Sequence, residues 1–146
     1  MSVTTHRAAC SAADVFAVLS DGWLYPTWVV GASRVRGVDA SWPAVGASIQ
    51  HSIGVWPALI NDKTVCTELN APSLMVLRAR GWPLGEASVS IEATDGDGGC
   101  TITIREEPVA GPAAAIPHGV TDPLLHVRNR ECLRRLAYLA EGRART

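Results

Sequence analysis

The sequence has no apolar run approaching the ~20 residues of a membrane span, so no spanning helix is expected. Met1 to Cys10 lacks the charged start and apolar stretch of a secretory signal, and the expected compartment is the cytoplasm. Charge of neither sign dominates: 13 Lys and Arg against 14 Asp and Glu leave a net charge of -1. A nucleic-acid binder shows a basic patch and a high pI, so no nucleic-acid partner is expected. The arginines near the C-terminus (Arg128, Arg130, Arg134, Arg135) are diluted by Glu131 and Glu141 and read as a solvated helix face. Cysteine pairs at short spacing are missing too. Cys10, Cys66, Cys100 and Cys132 stand far apart with no CxxC, whereas zinc needs clustered ligands. They read as free buried thiols, and neither a metal nor a cofactor is implied. There is no GxSxG elbow and no GxxxxGK[ST] phosphate loop. Phe and Tyr are scarce, one and two residues, yet there are five Trp. Three of these precede proline: Trp42-Pro43, Trp56-Pro57 and Trp82-Pro83.

What is present is a regular pattern over 146 residues, a length that fits one domain spanning 1–146. A domain of this size buries roughly 68–70% of its unfolded surface and needs no staples. Val3 to Ala9 reads as a first strand. Ser11, with Asp14 three positions on, reads as a helix cap before Ala12 to Leu19, where Val15, Phe16 and Leu19 share a face. Asp21-Gly22 ends that helix, and Trp23 to Val30 forms a second short helical piece closed by Gly31. A two-residue period follows, with Ile49, His51 and Ile53 alternating against Ser48, Gln50 and Ser52. Ile60 to Leu69, Leu74 to Arg80, Glu86 to Thr94 and Cys100 to Pro108 read as further strands. Asn70-Ala71-Pro72 and Asp95 to Gly99 are turns, and such short turns imply an antiparallel meander. Asp95, Asp97 and Glu106 have the spacing of a calcium loop, but Cys100 stands where that loop needs glycine. After the connection Val109 to Pro117, Thr121 or Asp122 is expected to cap a last helix. Pro123 would be its first residue and Gly142 its stop. Leu125, Cys132, Leu133, Leu136 and Ala140 form its apolar stripe, with Asn129 on the same side.

The expected fold is α+β: a curved antiparallel sheet wrapped around a long C-terminal helix, with two short helices after the first strand. The space between sheet and helix is a natural hydrophobic cavity. Four segments carry a resemblance: SAADVFAVLSD (Ser11 to Asp21), YPTWVVG (Tyr25 to Gly31), LMVLRARGWPLGEASVSI (Leu74 to Ile91) and RNRECLRRLAYLAE (Arg128 to Glu141). With this layout the chain resembles the START-like, helix-grip superfamily, within it the polyketide cyclase/dehydrase and lipid-transport (SRPBCC) group. The resemblance implies a cavity for lipids, sterols or polyketide intermediates, and in some members cyclisation or dehydration.

Four polar residues interrupt apolar faces: His51 between Ile49 and Ile53, Glu106 after Ile102 and Ile104, Arg78 in parity with Leu74 and Val76, and Asn129 on the helix stripe. One reading makes His51 and Glu106 the catalytic acid and base, with Arg78 or Asn129 orienting a ligand carbonyl. The other pairs Glu106 with Arg78 or Arg80 across the sheet and leaves His51 as a bonded core residue. His118 and His126 flank the start of the last helix, near the expected cavity mouth, where His118 would meet a ligand. Trp28, Trp56 and Trp82 are expected at the rim and ends, offering large apolar area. The partner expected is a hydrophobic small molecule, carried or bound. The alternatives are a polyketide aromatase/cyclase or dehydratase, and a protein-interaction module. The oligomeric state stays open between monomer and homodimer.

Overall fold

The chain runs β1 (Ser2–Ala8), α1 (Ala12–Leu19), a 3-10 turn (Gly22–Leu24) and the single-turn α2 (Tyr25–Trp28). Six strands follow: β2 (Ala32–Val38), β3 (Ser48–Val55), β4 (Ala58–Asn70), β5 (Leu74–Gly81), β6 (Gly85–Gly96) and β7 (Gly99–Ala110). A 3-10 turn (Pro112–Ala115) leads into α3 (His118–Ala144). This computed structural model describes residues 1–81 and 85–146, so Trp82 lies outside the described residues.

All seven strands form one antiparallel sheet in the order β1-β7-β6-β5-β4-β3-β2. The meander from β2 to β7 is sequential because its links are short. β1 and β2 are then left at opposite edges, and residues 9–31 must cross from one edge to the other. Register shifts interrupt β2–β3, β4–β5 and β6–β7, and such bulges bend a sheet. Gly54, at φ +104, stands where a Cβ would lie 2.5 Å from the Ala58 carbonyl oxygen. Only glycine suits that turn.

Local chemistry explains the crossing. The Ser11 hydroxyl accepts from the Asp14 N–H at 3.1 Å and the Asp14 carboxylate accepts from the Ser11 N–H at 3.1 Å, a complete capping box. Asp95 accepts from the Ala12 N–H at 2.7 Å and ties α1 to the end of β6. Val15, Phe16 and Leu19 are buried as the helical period requires.

The inner face of the sheet is covered by α3, whose Asn129, Cys132, Leu133, Leu136, Ala137 and Ala140 are buried at three- and four-residue spacing. Leu133 and Leu136 are fully buried, each contributing about 1.5–3 kcal/mol. This is the helix-grip arrangement. The four cysteines are free and buried. Both boundaries of the last helix differ from expectation. α3 begins at His118, with Pro123 inside it, and runs through Gly142 to Ala144. The added turns, His118–Val120 and Arg143–Ala144, are exposed and lie beyond the buried stripe. Among the described residues no helix is long and apolar enough to cross a membrane.

Candidate functional site

Tyr25 on α2, His51 on β3 and Thr64 on β4 meet beneath the short helical unit. The Thr64 hydroxyl is bonded to the Tyr25 hydroxyl at 3.0 Å and to His51 Nε2 at 2.9 Å. The His51 and Tyr25 rings stack, with centroids 5.2 Å apart and planes at 20°. His51 is 1% exposed, and its Nδ1 has no hydrogen-bond partner among the described residues. Burial pushes the His51 pKa below its ordinary value, and the Arg36 charge acts the same way, against the Asp62 carboxylate and the Lys63 backbone. The ring is therefore neutral near pH 7. Burial also raises the Tyr25 phenol, opposed by Thr64 and Arg128.

A second polar group joins β7 to α3. Glu106 Oε2 accepts from Asn129 Nδ2 at 2.8 Å and from Arg128 Nη1 at 3.2 Å. Arg128 Nη1 also donates to Asn129 Oδ1 at 3.3 Å, and Arg128 Nε donates to the Val30 carbonyl at 3.1 Å. One guanidinium thus holds β7, α3 and the segment after α2 together. A buried carboxylate requires such compensation.

Between these groups lies a partly open cavity of about 430 Å3. Val29, Val30, Ala32, Ile53, Ile60, Ala79, Ala87, Pro108, Ala113 and Leu125 supply its apolar wall. Tyr25, His51, Glu106, Arg128, Arg80 and Glu86 supply its polar positions. The structure thus brings His51 and Glu106 to one enclosure. Asn129 stands behind Glu106, bonded to it.

Other expected positions fall elsewhere. Arg78 is on the outer face and pairs with Glu86 at 2.9 Å; the residues of β5 that are buried are Met75 and Leu77. The expected parity is reversed because Leu74, Met75, Val76 and Leu77 are all apolar, so alternation cannot distinguish the faces. Neither Arg78 nor Arg80 pairs with Glu106; Arg128 does. Trp28 is buried and edge-on to Tyr25, centroids 5.7 Å apart, within the core and behind the cavity lining. Trp56 is 81% exposed in the β3–β4 turn. Trp42 is half-buried and donates from Nε1 to the Leu19 carbonyl at 3.1 Å, closing one end of the core. His118 is exposed at the start of α3, 3.6 Å from Asp122 and 3.9 Å from Glu107. His126 is bonded through Nδ1 to the Thr4 hydroxyl at 3.0 Å.

Three site residues escape sequence reading. Arg128 belongs to a basic cluster in which Arg130 and Arg134 are exposed and Arg135 is half-buried; only its position next to Asn129 signals the inner side. Tyr25 and Thr64 carry no pattern of their own. Thr64 does share strand parity with buried Cys66, which is the one available signal.

Residues 1–141 match the profile of the family described as polyketide cyclase / dehydrase and lipid transport. Solved structures share the fold at low identity. Protein CV1439 from Chromobacterium violaceum is 17% identical with a TM-score of 0.69, the match covering 95% of this chain and 96% of that one. The di-domain ARO/CYC StfQ from the steffimycin biosynthetic pathway is 15% identical with a TM-score of 0.70, covering 99% of this chain and 51% of that one. Ara h 8.0201 is 13% identical with a TM-score of 0.69, covering 94% and 95%. At such identities the likeness shows the fold. No curated protein sequence matches the chain.

Proposed function

Because the chain belongs to the polyketide cyclase/dehydrase and lipid transport family, we propose that it binds a hydrophobic small molecule between its sheet and α3. The supporting observation is the cavity of about 430 Å3, with apolar walls and a few polar groups. Ligand pockets span roughly 300–1,000 Å3. This one is at the small end and suits a compact ligand better than a long-chain lipid. Apolar area removed from water supplies the affinity, and the polar groups orient the ligand.

The test uses a fluorescent apolar probe, 8-anilinonaphthalene-1-sulfonate, and the cavity-filling variant Ala87→Phe. Saturable binding by the wild type, weakened at least about tenfold in Ala87→Phe at an unchanged Tm, is the expected result. No saturable binding, or equal affinity in both proteins, ends the reading.

His51 and Glu106 lining one cavity favour a second reading, acid–base catalysis of a cyclisation or dehydration. The Tyr25–Thr64–His51 chain lets a proton on one ring nitrogen be matched by rearrangement at the other. Glu106 already accepts from Arg128 and Asn129, so His51 is the better proton-transfer group. This reading expects His51→Gln to abolish turnover of a poly-β-ketone while probe binding persists. Undiminished turnover excludes it.

A further inference from the structure

A second recess, of about 450 Å3, is lined by Arg36, Gln50, Asn61, Asp62, Lys63 and Arg80, and of these Arg80 also lines the internal cavity. Strand parity puts Gln50, Asn61, Lys63 and Arg80 on the face turned away from α3, whereas Asp62, paired with His51, belongs to the buried face. His51 and Thr64 are buried, so Gln50 and Lys63 beside them face the other way. The register sets Gln50 opposite Lys63, and sets Thr64 opposite Ala79, so Lys63 and Arg80 are the next residues along.

Few of the positive charges here are matched by direct contact, although the Asp39 carboxylate lies close enough to act on Lys63. Arg36 Nη2 donates to the Asp62 carbonyl at 2.9 Å and to the His51 carbonyl at 3.2 Å. These neutral acceptors fix the guanidinium and leave its charge uncompensated. Among the described residues neither Arg36 nor Lys63 forms an ion pair with a carboxylate. Asp62 accepts from the Lys63 N–H at 2.9 Å and lies 3.5 Å from Arg80 Nε. Glu86 reaches Arg80 at 3.7 Å, but is matched by Arg78 at 2.9 Å. Three cations against one carboxylate leave the recess lining at +2, on a chain whose net charge is -1. Of the neutral groups, Gln50 Nε2 already donates to the Ser48 hydroxyl at 2.6 Å and to Asp39 Oδ1 at 3.5 Å. Asn61 Oδ1 accepts from the Ser52 hydroxyl at 2.8 Å, which leaves its NH2 group as the free end.

We propose that this recess binds a phosphate-type oxyanion. Donors arrive from three strands, β2, β4 and β5, and so from several directions. Such a set suits a tetrahedral group better than a planar carboxylate. A phosphate monoester carries about -1.5 to -2 at pH 7, matching the excess charge. Charge-assisted hydrogen bonds supply the affinity. The same chemistry serves free phosphate and the phosphate of a lipid headgroup.

The test titrates the full chain with inorganic phosphate at constant ionic strength, followed in 1H–15N spectra, with chloride as the control. Saturable shifts of the Gln50 and Asn61 side-chain amides and the Lys63 N–H are expected. Lys63→Gln, an exposed substitution, weakens binding about tenfold with Tm unchanged, and Arg80→Gln weakens it as well. Shifts that fail to saturate, that chloride reproduces, or that persist equally in both variants overturn the proposal. Co-sedimentation with phosphatidic acid vesicles, absent with phosphatidylcholine vesicles and in Lys63→Gln, assigns the site to a headgroup. Saturable phosphate binding without sedimentation assigns it to a free anion. Probe binding in the internal cavity is read in Lys63→Gln, whose substituted side chain lies outside that cavity, so either proposal can fail without the other.

Discussion

Two carboxylate–arginine partnerships meet at α3, one in the cavity wall and one on the helix's outer face. On the outside Glu131 accepts from Arg134 at 2.7 and 2.8 Å and from Arg135 at 2.9 Å. On the inside Glu106 accepts from Arg128 at 3.2 Å and from Asn129 at 2.8 Å. By distance the outer group is the tighter. By consequence the order reverses, because the Glu131 carboxylate is 34% exposed and the Glu106 carboxylate only 7%. Water screens the outer charges and solvates any that lose a partner. A buried carboxylate without its guanidinium keeps its desolvation cost. Environment, more than separation, decides what an ion pair contributes.

The sharpest way to break this comparison is Arg128→Met. It strands Glu106 and opens the junction of β7, α3 and the Val30 carbonyl, and a loss of about 3 kcal/mol is expected in denaturant unfolding. Adding Glu106→Leu should restore much of that loss, since an apolar replacement of the whole pair leaves no stranded charge. A double variant no more stable than Arg128→Met would place the damage in packing. Asn129→Leu comes next, at about 2 kcal/mol, because Glu106 then loses its shortest donor. Unchanged stability would show that Arg128 alone satisfies the carboxylate.

A pH series sharpens the contrast. The folded pKa of His51 is depressed below the 6.5 of an ordinary histidine. Its contribution is therefore complete above pH 6.5 and is lost as pH falls through the folded value. The associated slope reaches at most about 1.4 kcal/mol per pH unit. His51→Gln should flatten the stability profile below pH 6.5; parallel profiles would remove His51 as the cause. On the outer face Arg134 and Arg135 hold Glu131 at about 2, against an ordinary 4.5. Any contribution from it is present above pH 4.5 and fades toward pH 2. The smallest effect is thus expected from Glu131→Gln near neutrality, with no resolvable change in the unfolding midpoint. A clear drop there would mean that exposed pairs matter as much as buried ones in this helix.

Much of the fold was legible because its signals are local. The Ser11–Asp14 capping box, the alternation around His51 and the stripe from Cys132 to Ala140 each follow from nearest neighbours along the chain. His51 and Glu106 stood out as polar residues on apolar strand faces, and both line the cavity. Arg78 misled because β5 is apolar on both sides, so its facing is set by its neighbours. Arg128 was hidden for a related reason: a helix arginine is indistinguishable from its exposed companions until β7 brings a carboxylate to it.

The sequence by itself determined the element types, the antiparallel meander and the amphipathic last helix, since periods of two and 3.6 are properties of the local backbone. The tertiary structure decided which polar groups face one another. Pairing Glu106 with Arg128, stacking His51 on Tyr25 and gathering Arg36, Lys63 and Arg80 around one recess all depend on register and sheet bending. Those are collective results of packing, in which residues far apart in the chain are brought within hydrogen-bonding reach.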